Sequence, residues 1–357
     1  MQRCFYFLVY RPTGGFVNRW GPGLYFSAKP SYNISSSKMG RTPRAERRDR
    51  MLESLLLVAG QVLTLFLLMG IGFLLARIGK LTEKAVSELS FLVLYIVIPS
   101  AIIQSFQVER TAELIRTLLM GGAVMAVFYG IHIAVGQLCY RKQPLDIRGP
   151  MRFSQVYCNT GFMGLPLLSA ILGEEALIFG GLAIVMFNLF QWTHGVRIMG
   201  GRVSLKSTLI NPGTVGLAVG LFLFLTGWRF PGPVSKAIGY VSDLNTPLAM
   251  MVVGAQMARA DLKSTFTRPI LYGSALYKLA AAPAIVLLVL LPLKVDPILF
   301  CACVILNATP TAGVTGMLAQ TYGRDTVVSA QTVTLSTLLS ILTLPVFATL
   351  ARTLTGI

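Results

Sequence analysis

From Leu55 onward the chain is a succession of apolar runs, each long enough for the roughly 20 residues that a membrane-spanning helix needs. The runs lack the period-2 alternation of a barrel strand, so they read as helices. Composition agrees. The chain is 54% hydrophobic and 13% charged, whereas an average soluble domain carries about 25% charged residues. Ten segments can be drawn, at about 54–76, 86–106, 113–139, 152–172, 175–197, 210–228, 234–258, 268–292, 297–319 and 326–351.

Two of these segments are interrupted. The fourth holds Asn159-Thr160-Gly161-Phe162-Met163-Gly164-Leu165-Pro166, and the ninth holds Asn307-Ala308-Thr309-Pro310-Thr311-Ala312-Gly313. Asn307 stands 148 positions after Asn159, and the same offset carries Pro99, in the second segment, onto Pro247 in the seventh. The offset predicts two five-helix repeats, 51–197 and 210–357, joined by a cytoplasmic linker, 198–209. An odd number of spans per repeat inverts the second, a plan that recurs among secondary transporters. The expected fold is therefore all-α and integral to the membrane: ten transmembrane helices in two inverted repeats, with broken helices 4 and 9 crossing.

Irregular backbone at membrane depth needs protein or a water-filled cavity around it. Proline and glycine supply the breaks, here Pro166 and Pro310 with Gly161, Gly164 and Gly313. A half-helix N-terminus offers unpaired N–H groups and partial positive charge, suited to a carboxylate. Asparagine amides add donors. Asn159, Thr160, Gly161, Gly164, Asn307, Thr309, Pro310 and Gly313 are the expected substrate-binding set, with helix breaks at Pro99, Pro166 and Pro247. The competing reading is that small residues and asparagine merely glue helices together. Lys278 lies well inside the eighth segment, where an ionisable group marks a functional site by default. It and His132 are candidates for coupling to an ion, and Gln331, with Ser329, is a further polar group that could face the crossing. A neutral, hydrogen-bonded interior histidine is the plainer reading of His132.

The formal charge is +17, with ten of the 31 Lys and Arg in residues 1–50. Most of the others flank helices, so nucleic acid is not an expected partner. Loop charges orient the chain. Fourteen basic residues, among them Arg77, Arg141, Arg152, Arg202, Arg259 and Arg324, fall on one side, and six, such as Arg110, Arg229 and Lys294, on the other. The first side should be cytoplasmic and both termini outside the cell membrane. Residues 1–50 read as a basic, disordered leader that opposes this orientation, and Met51 is the expected working start. The cysteines show no metal-binding spacing, and no HExxH, GxSxG or P-loop pattern occurs, so neither metal, cofactor nor enzymatic chemistry is expected.

The run from Asn159 to Leu168, N-T-G-F-M-G-L-P-L-L, resembles the auxin efflux carrier family, whose plant members carry a similar N-T-x-x-M-G-x-P motif. Pro310 and the Leu344-Pro345 pair also fit, and the resemblance covers about 51–357. It implies a static scaffold from segments 1, 2, 6 and 7. The other segments would form a transport unit moving elevator-fashion, with Asn159 and Asn307 touching a small organic anion. The large loop of the long plant carriers is absent, which points to a compact prokaryotic-type member. Where plant members tend to have a proline before the fourth-segment asparagine, this chain has Cys158, so the break there should rest on Gly161 and Gly164. A small carboxylate, the lipid bilayer and a second copy in a homodimer are the expected partners. The alternatives are a sodium-coupled symporter of the bile-acid type and a membrane ligand sensor.

Overall fold

A computed structural model describes residues 43–204, 210 and 212–357. The leader up to residue 42 and part of the expected linker, 205–209, lie outside the described residues. The described chain is helical: α1 (Pro43–Arg77), α2 (Glu83–Leu92), α3 (Ile98–Ser105), α4 (Ala112–Leu138), α5 (Leu145–Val156), α6 (Leu165–Leu172), α7 (Leu177–Phe190), α8 (Val196–Ile198), α9 (Pro212–Thr226), α10 (Gly232–Asp243), α11 (Asn245–Met257), α12 (Leu262–Thr267), α13 (Pro269–Leu276), α14 (Ala282–Leu290), α15 (Pro297–Ala308), α16 (Val314–Thr321) and α17 (Thr326–Thr355). Helix starts are marked by side-chain caps. Thr111, Asp296 and Asp325 accept from the backbone N–H of Leu114, Leu299 and Val328.

Six stretches among the described residues are long and apolar enough to cross a membrane: Met51–Arg77, Glu83–Ser105, Ala112–Leu138, Glu174–Ile198, Pro269–Leu293 and Thr326–Thr355. Their apolar surface is not spent on the core. In Ala112–Leu138 only 22% of the apolar window is buried, and Leu56, Leu63, Leu67 and Leu74 of α1 are all exposed. Such a surface is stable only against lipid. The protein is a multi-pass membrane protein.

The prolines act less bluntly than the sequence suggests. Pro99, Pro166 and Pro283 each stand second in a helix that follows a single π-turn: Val93–Val97, Thr160–Gly164 and Tyr277–Ala281. The residue before each proline donates five residues back, Ile98 to Val93, Leu165 to Thr160 and Ala282 to Tyr277. A wider turn makes room for the ring and for the missing donor. The break expected at Pro99 is therefore absent; Glu83–Ser105 runs on as one helical stretch. Near Pro247 the interruption is a single residue, Leu244 between α10 and α11, which keeps helical dihedrals of φ −67° and ψ −15° where Pro247 has no N–H to offer one turn back.

Helix packing uses small residues to bring backbones together. α1 packs most extensively against α11, and the contact is reciprocal. A Cβ on Gly72 would collide with the Met251 carbonyl, and one on Gly254 with the Met69 carbonyl. α9 lies on α3 in a similar way, with Gly216 against Pro99 and Gly220 against Phe106. The main buried cluster joins α1, α3, α6, α7, α11 and α15 through residues such as Leu65, Phe106, Leu167, Met250 and Ile305.

Candidate functional site: the crossing of two broken helices

The fourth and ninth segments break and meet. α5 ends at Val156, and Tyr157 and Cys158 continue in an extended conformation. α15 ends at Ala308, and Thr309 leaves it extended. The two extended pieces pair antiparallel through one bridge between Cys158 and Thr311. Asn159 N donates to Pro310 O at 2.8 Å, and Ala312 N donates to Tyr157 O at 3.0 Å. Each break thus supplies the hydrogen-bond partners that the other lacks, which meets the main cost of irregular backbone in lipid. Thr311 is held twice more. Its N–H donates to Ser336 Oγ of α17 at 3.1 Å, and its hydroxyl donates to Ser154 O of α5 at 3.1 Å.

The first break does not rest on its glycines. Asn159 has φ −78° and ψ 60°, and Thr160 N donates to Cys158 O at 2.8 Å across it. That is an inverse γ-turn, open to any residue with an ordinary φ, so no proline is needed before Asn159. Gly161 and Gly164 serve close approach instead. A Cβ at Gly164 would lie 2.6 Å from Leu306 Cδ2, and one at Gly161 would lie 3.1 Å from Ile98 Cδ1. Gly313, after the second break, faces Gln256 Oε1 of α11 at a similar 3.1 Å.

The two asparagines are used differently. Asn159 is 3% exposed, and its Nδ2 has no hydrogen-bond partner among the described residues. Asn307 is engaged at both ends of its amide. Nδ2 donates to Cys303 O at 2.9 Å, and Oδ1 accepts from His132 Nε2 at 3.2 Å. His132 Nδ1 in turn takes the Tyr277 hydroxyl at 2.8 Å. Both ring nitrogens are satisfied with a neutral imidazole, Nε2–H donating and Nδ1 accepting. Lys278, the next residue after Tyr277, is fully buried and places Nζ 2.6 Å from Cys158 Sγ. A cavity of about 30 Å³ lies between α4 and the crossing, lined by His132, Cys158, Thr160 and Asn307 together with Tyr129 and Cys303. It has room for water and not for an organic acid.

The structure therefore gathers Asn159, Thr160, Gly161, Gly164, Asn307, Thr309, Pro310 and Gly313 at one crossing, with His132 and Lys278 beside it. Gln331 does not belong there. Its Oε1 accepts from Arg268 at 2.9 Å and its Nε2 donates to Ser264 at 2.7 Å, which ties α17 to α12 and the turn that follows it. Ser329 is spent on Asp325 O, one turn back in its own helix region. The α17 residue that reaches the crossing is Ser336, which the sequence reading passed over. Its signal was present: Ser329, Thr332, Ser336 and Ser340 recur at helical spacing, and all are buried. Tyr157 was also missed. Its hydroxyl donates to Phe190 O at 2.7 Å and lies 3.1 Å from His194 Nδ1, which fastens the first break to α7 and the turn that follows it.

The sequence profile described as membrane transport protein matches residues 57–202 and 196–348. The chain belongs to that family. The auxin efflux carrier resemblance read from the Asn159 motif is thereby borne out. The transporter is 25% identical over 305 residues to a Rhizobium meliloti protein described as "Putative malonate transporter", covering 80% of this chain and 93% of that one. It is 27% identical over 215 residues to an uncharacterized transporter of Methanocaldococcus jannaschii, covering 57% and 70% of the two chains. A third relative, an uncharacterized transporter of Methanothermobacter thermautotrophicus, is 24% identical over 295 residues, covering 80% and 96%.

Proposed function

We propose that the transporter is a secondary active carrier of a small carboxylate, not an enzyme, and that the crossing is its substrate site. The observation that carries this reading is the unpartnered Asn159 amide. A buried donor without a partner is unfavourable by about 1–3 kcal/mol, and this one stands where the half-helix of Thr160–Gly164 and α6 begins. Of the first N–H groups of that half-helix, that of Thr160 is used by the γ-turn to Cys158 O and that of Met163 by Asn159 O, and the end as a whole carries the positive pole of its dipole. A carboxylate arriving there satisfies the amide and the helix end together. The name borne by the Rhizobium meliloti relative agrees with an organic anion of this size.

The proposed mechanism is elevator-like alternating access. α1, α2, α3, α9, α10 and α11 form the scaffold, and the crossing travels with the remaining helices. The close α1–α11 and α9–α3 contacts support a rigid scaffold. The paired breaks and the 148-residue offset support two inverted repeats, and loop charge supports termini outside the cell membrane. The repeats would be 51–197 and 210–357. A homodimer through the scaffold would leave the moving part unencumbered. The cavity as it stands is too small for an acid, so binding requires the walls facing Asn159 to part.

Reconstituted protein should take up or release labelled malonate and related short dicarboxylates in proteoliposomes, with no need for a sodium gradient. Asn159→Ala should abolish this flux while the protein remains folded in detergent. Undiminished flux in that variant would remove the crossing as the site. Binding without flux in the wild-type protein would make it a sensor.

A further inference from the structure

The group left unexplained by a carboxylate site is Lys278. It is fully buried within a membrane-spanning stretch, and among the described residues no carboxylate lies within ion-pair distance of it. Its partner is a thiol, Cys158 Sγ. Cys158 belongs to the first break, next to Asn159 in the chain, and its thiol lies 3.8 Å from Asn307 Oδ1 of the second segment. A lone buried ammonium is among the most unfavourable groups a membrane protein can carry. A lysine and a cysteine in contact can avoid that state without an acidic residue, because together they can hold one proton fewer and be neutral as a pair.

We propose that Cys158 and Lys278 together form the proton-binding site of the transporter, and that the substrate anion is carried with a proton taken up there. The inference rests on the reading of the crossing as a carboxylate site. The step balances simply. With one proton shared between them the pair has no net charge, whether as thiolate with ammonium or as thiol with amine. Uptake of one proton from water gives thiol with ammonium, net +1. That form is unfavourable in an empty crossing and favourable when a carboxylate stands at Asn159, one residue away. Release of the anion on the far side returns the proton to water there. No oxidant, metal or further reactant is involved.

The surrounding groups do not offer a competing site of the same kind. From α4 come Tyr129 and His132, from the first break Tyr157, from Lys278's own turn Tyr277, and from α15 Cys303. Cys139 and Tyr140 lie beyond, past the end of α4. α5 and α17 also pack on the Lys278 turn, and the buried polar side chains on them nearest the crossing are hydroxyls, Ser154, Thr332 and Ser336. None of these is a carboxylate. His132 already has both nitrogens in hydrogen bonds as a neutral ring.

The test is calorimetric binding of malonate to the purified full chain, in buffers of different ionisation enthalpy, at pH values where both malonate carboxylates are ionised. Wild-type protein should take up close to one proton per malonate, and its affinity should fall about tenfold per pH unit where the pair is deprotonated. Lys278→Met should bind with no proton uptake and a flat pH profile. If that variant does not fold, the double variant Cys158→Ala with Lys278→Met removes both members of the pair and leaves neither one stranded; it should behave in the same way. Malonate binding without proton uptake in the wild type would overturn the proton site and leave the carboxylate reading standing. Proton uptake that survives in either variant would also overturn it, moving the site to His132 or a tyrosine. If no short dicarboxylate binds the wild type at all, the carboxylate reading falls and the proton proposal with it.

Discussion

The two breaks at the crossing are opposites in construction. The second is made by the local chain: Pro310 cannot continue α15, and Thr309 caps that helix with its hydroxyl on Leu306 O. The first has no such residue. Tyr157–Asn159 leave the helix because backbone partners wait for them on Pro310 and Ala312, and because the γ-turn at Asn159 then closes on Cys158. The asparagines follow the same division. Asn307 is tied into Cys303 and His132, while the Asn159 amide is unsatisfied. One half of the crossing is a finished structural element. The other keeps a free donor, Asn159 Nδ2, among the described residues, and its local geometry depends on its partner.

That contrast can be broken in four places. Asn307→Ala should cost the most stability, about 3 kcal/mol, since it strands His132 Nε2 in the interior and removes the second bond on Cys303 O. Thermal unfolding in detergent would show it, and an unchanged midpoint would mean the two asparagines are equivalent. Asn159→Ala should do the reverse. It removes an unpaired donor, so the midpoint should hold, while substrate affinity falls by about 2 kcal/mol, roughly 30-fold. Ser336→Ala leaves Thr311 N–H without its acceptor and should destabilise by about 1.5 kcal/mol, loosening the second break without touching the Asn159 amide. Gln331→Ala should change flux least, with a stability loss of about 1 kcal/mol from its Arg268 and Ser264 bonds. A large flux defect there would return Gln331 to the site.

The sequence showed the six long apolar stretches and the two interruptions that meet, because each leaves a mark in an apolar background. It could not show the γ-turn, since Tyr157 and Cys158 are not turn-forming residues and their departure from helix is enforced by the stretch around Thr311, 153 positions after Cys158. For the same reason the break was assigned to Gly161 and Gly164, whose real task is to admit Ile98 and Leu306. Pro99 was misread because a proline's missing donor can be absorbed by a wider turn as well as by a break. Gln331 is the larger polar side chain of α17, but it is turned to Arg268 and Ser264. The contact to Thr311 needs only a hydroxyl at the right height on α17.

The reciprocal seating of Gly72 on Met251 and Gly254 on Met69 has a practical corollary. No layer of side chains separates α1 from α11 there, so there are no rotamers to rearrange and little for the two helices to slide upon. They constitute a fixed datum within the molecule. Spin labels or fluorophores placed on these two helices give an internal ruler of constant length, against which any displacement of the crossing can be measured in the same molecule.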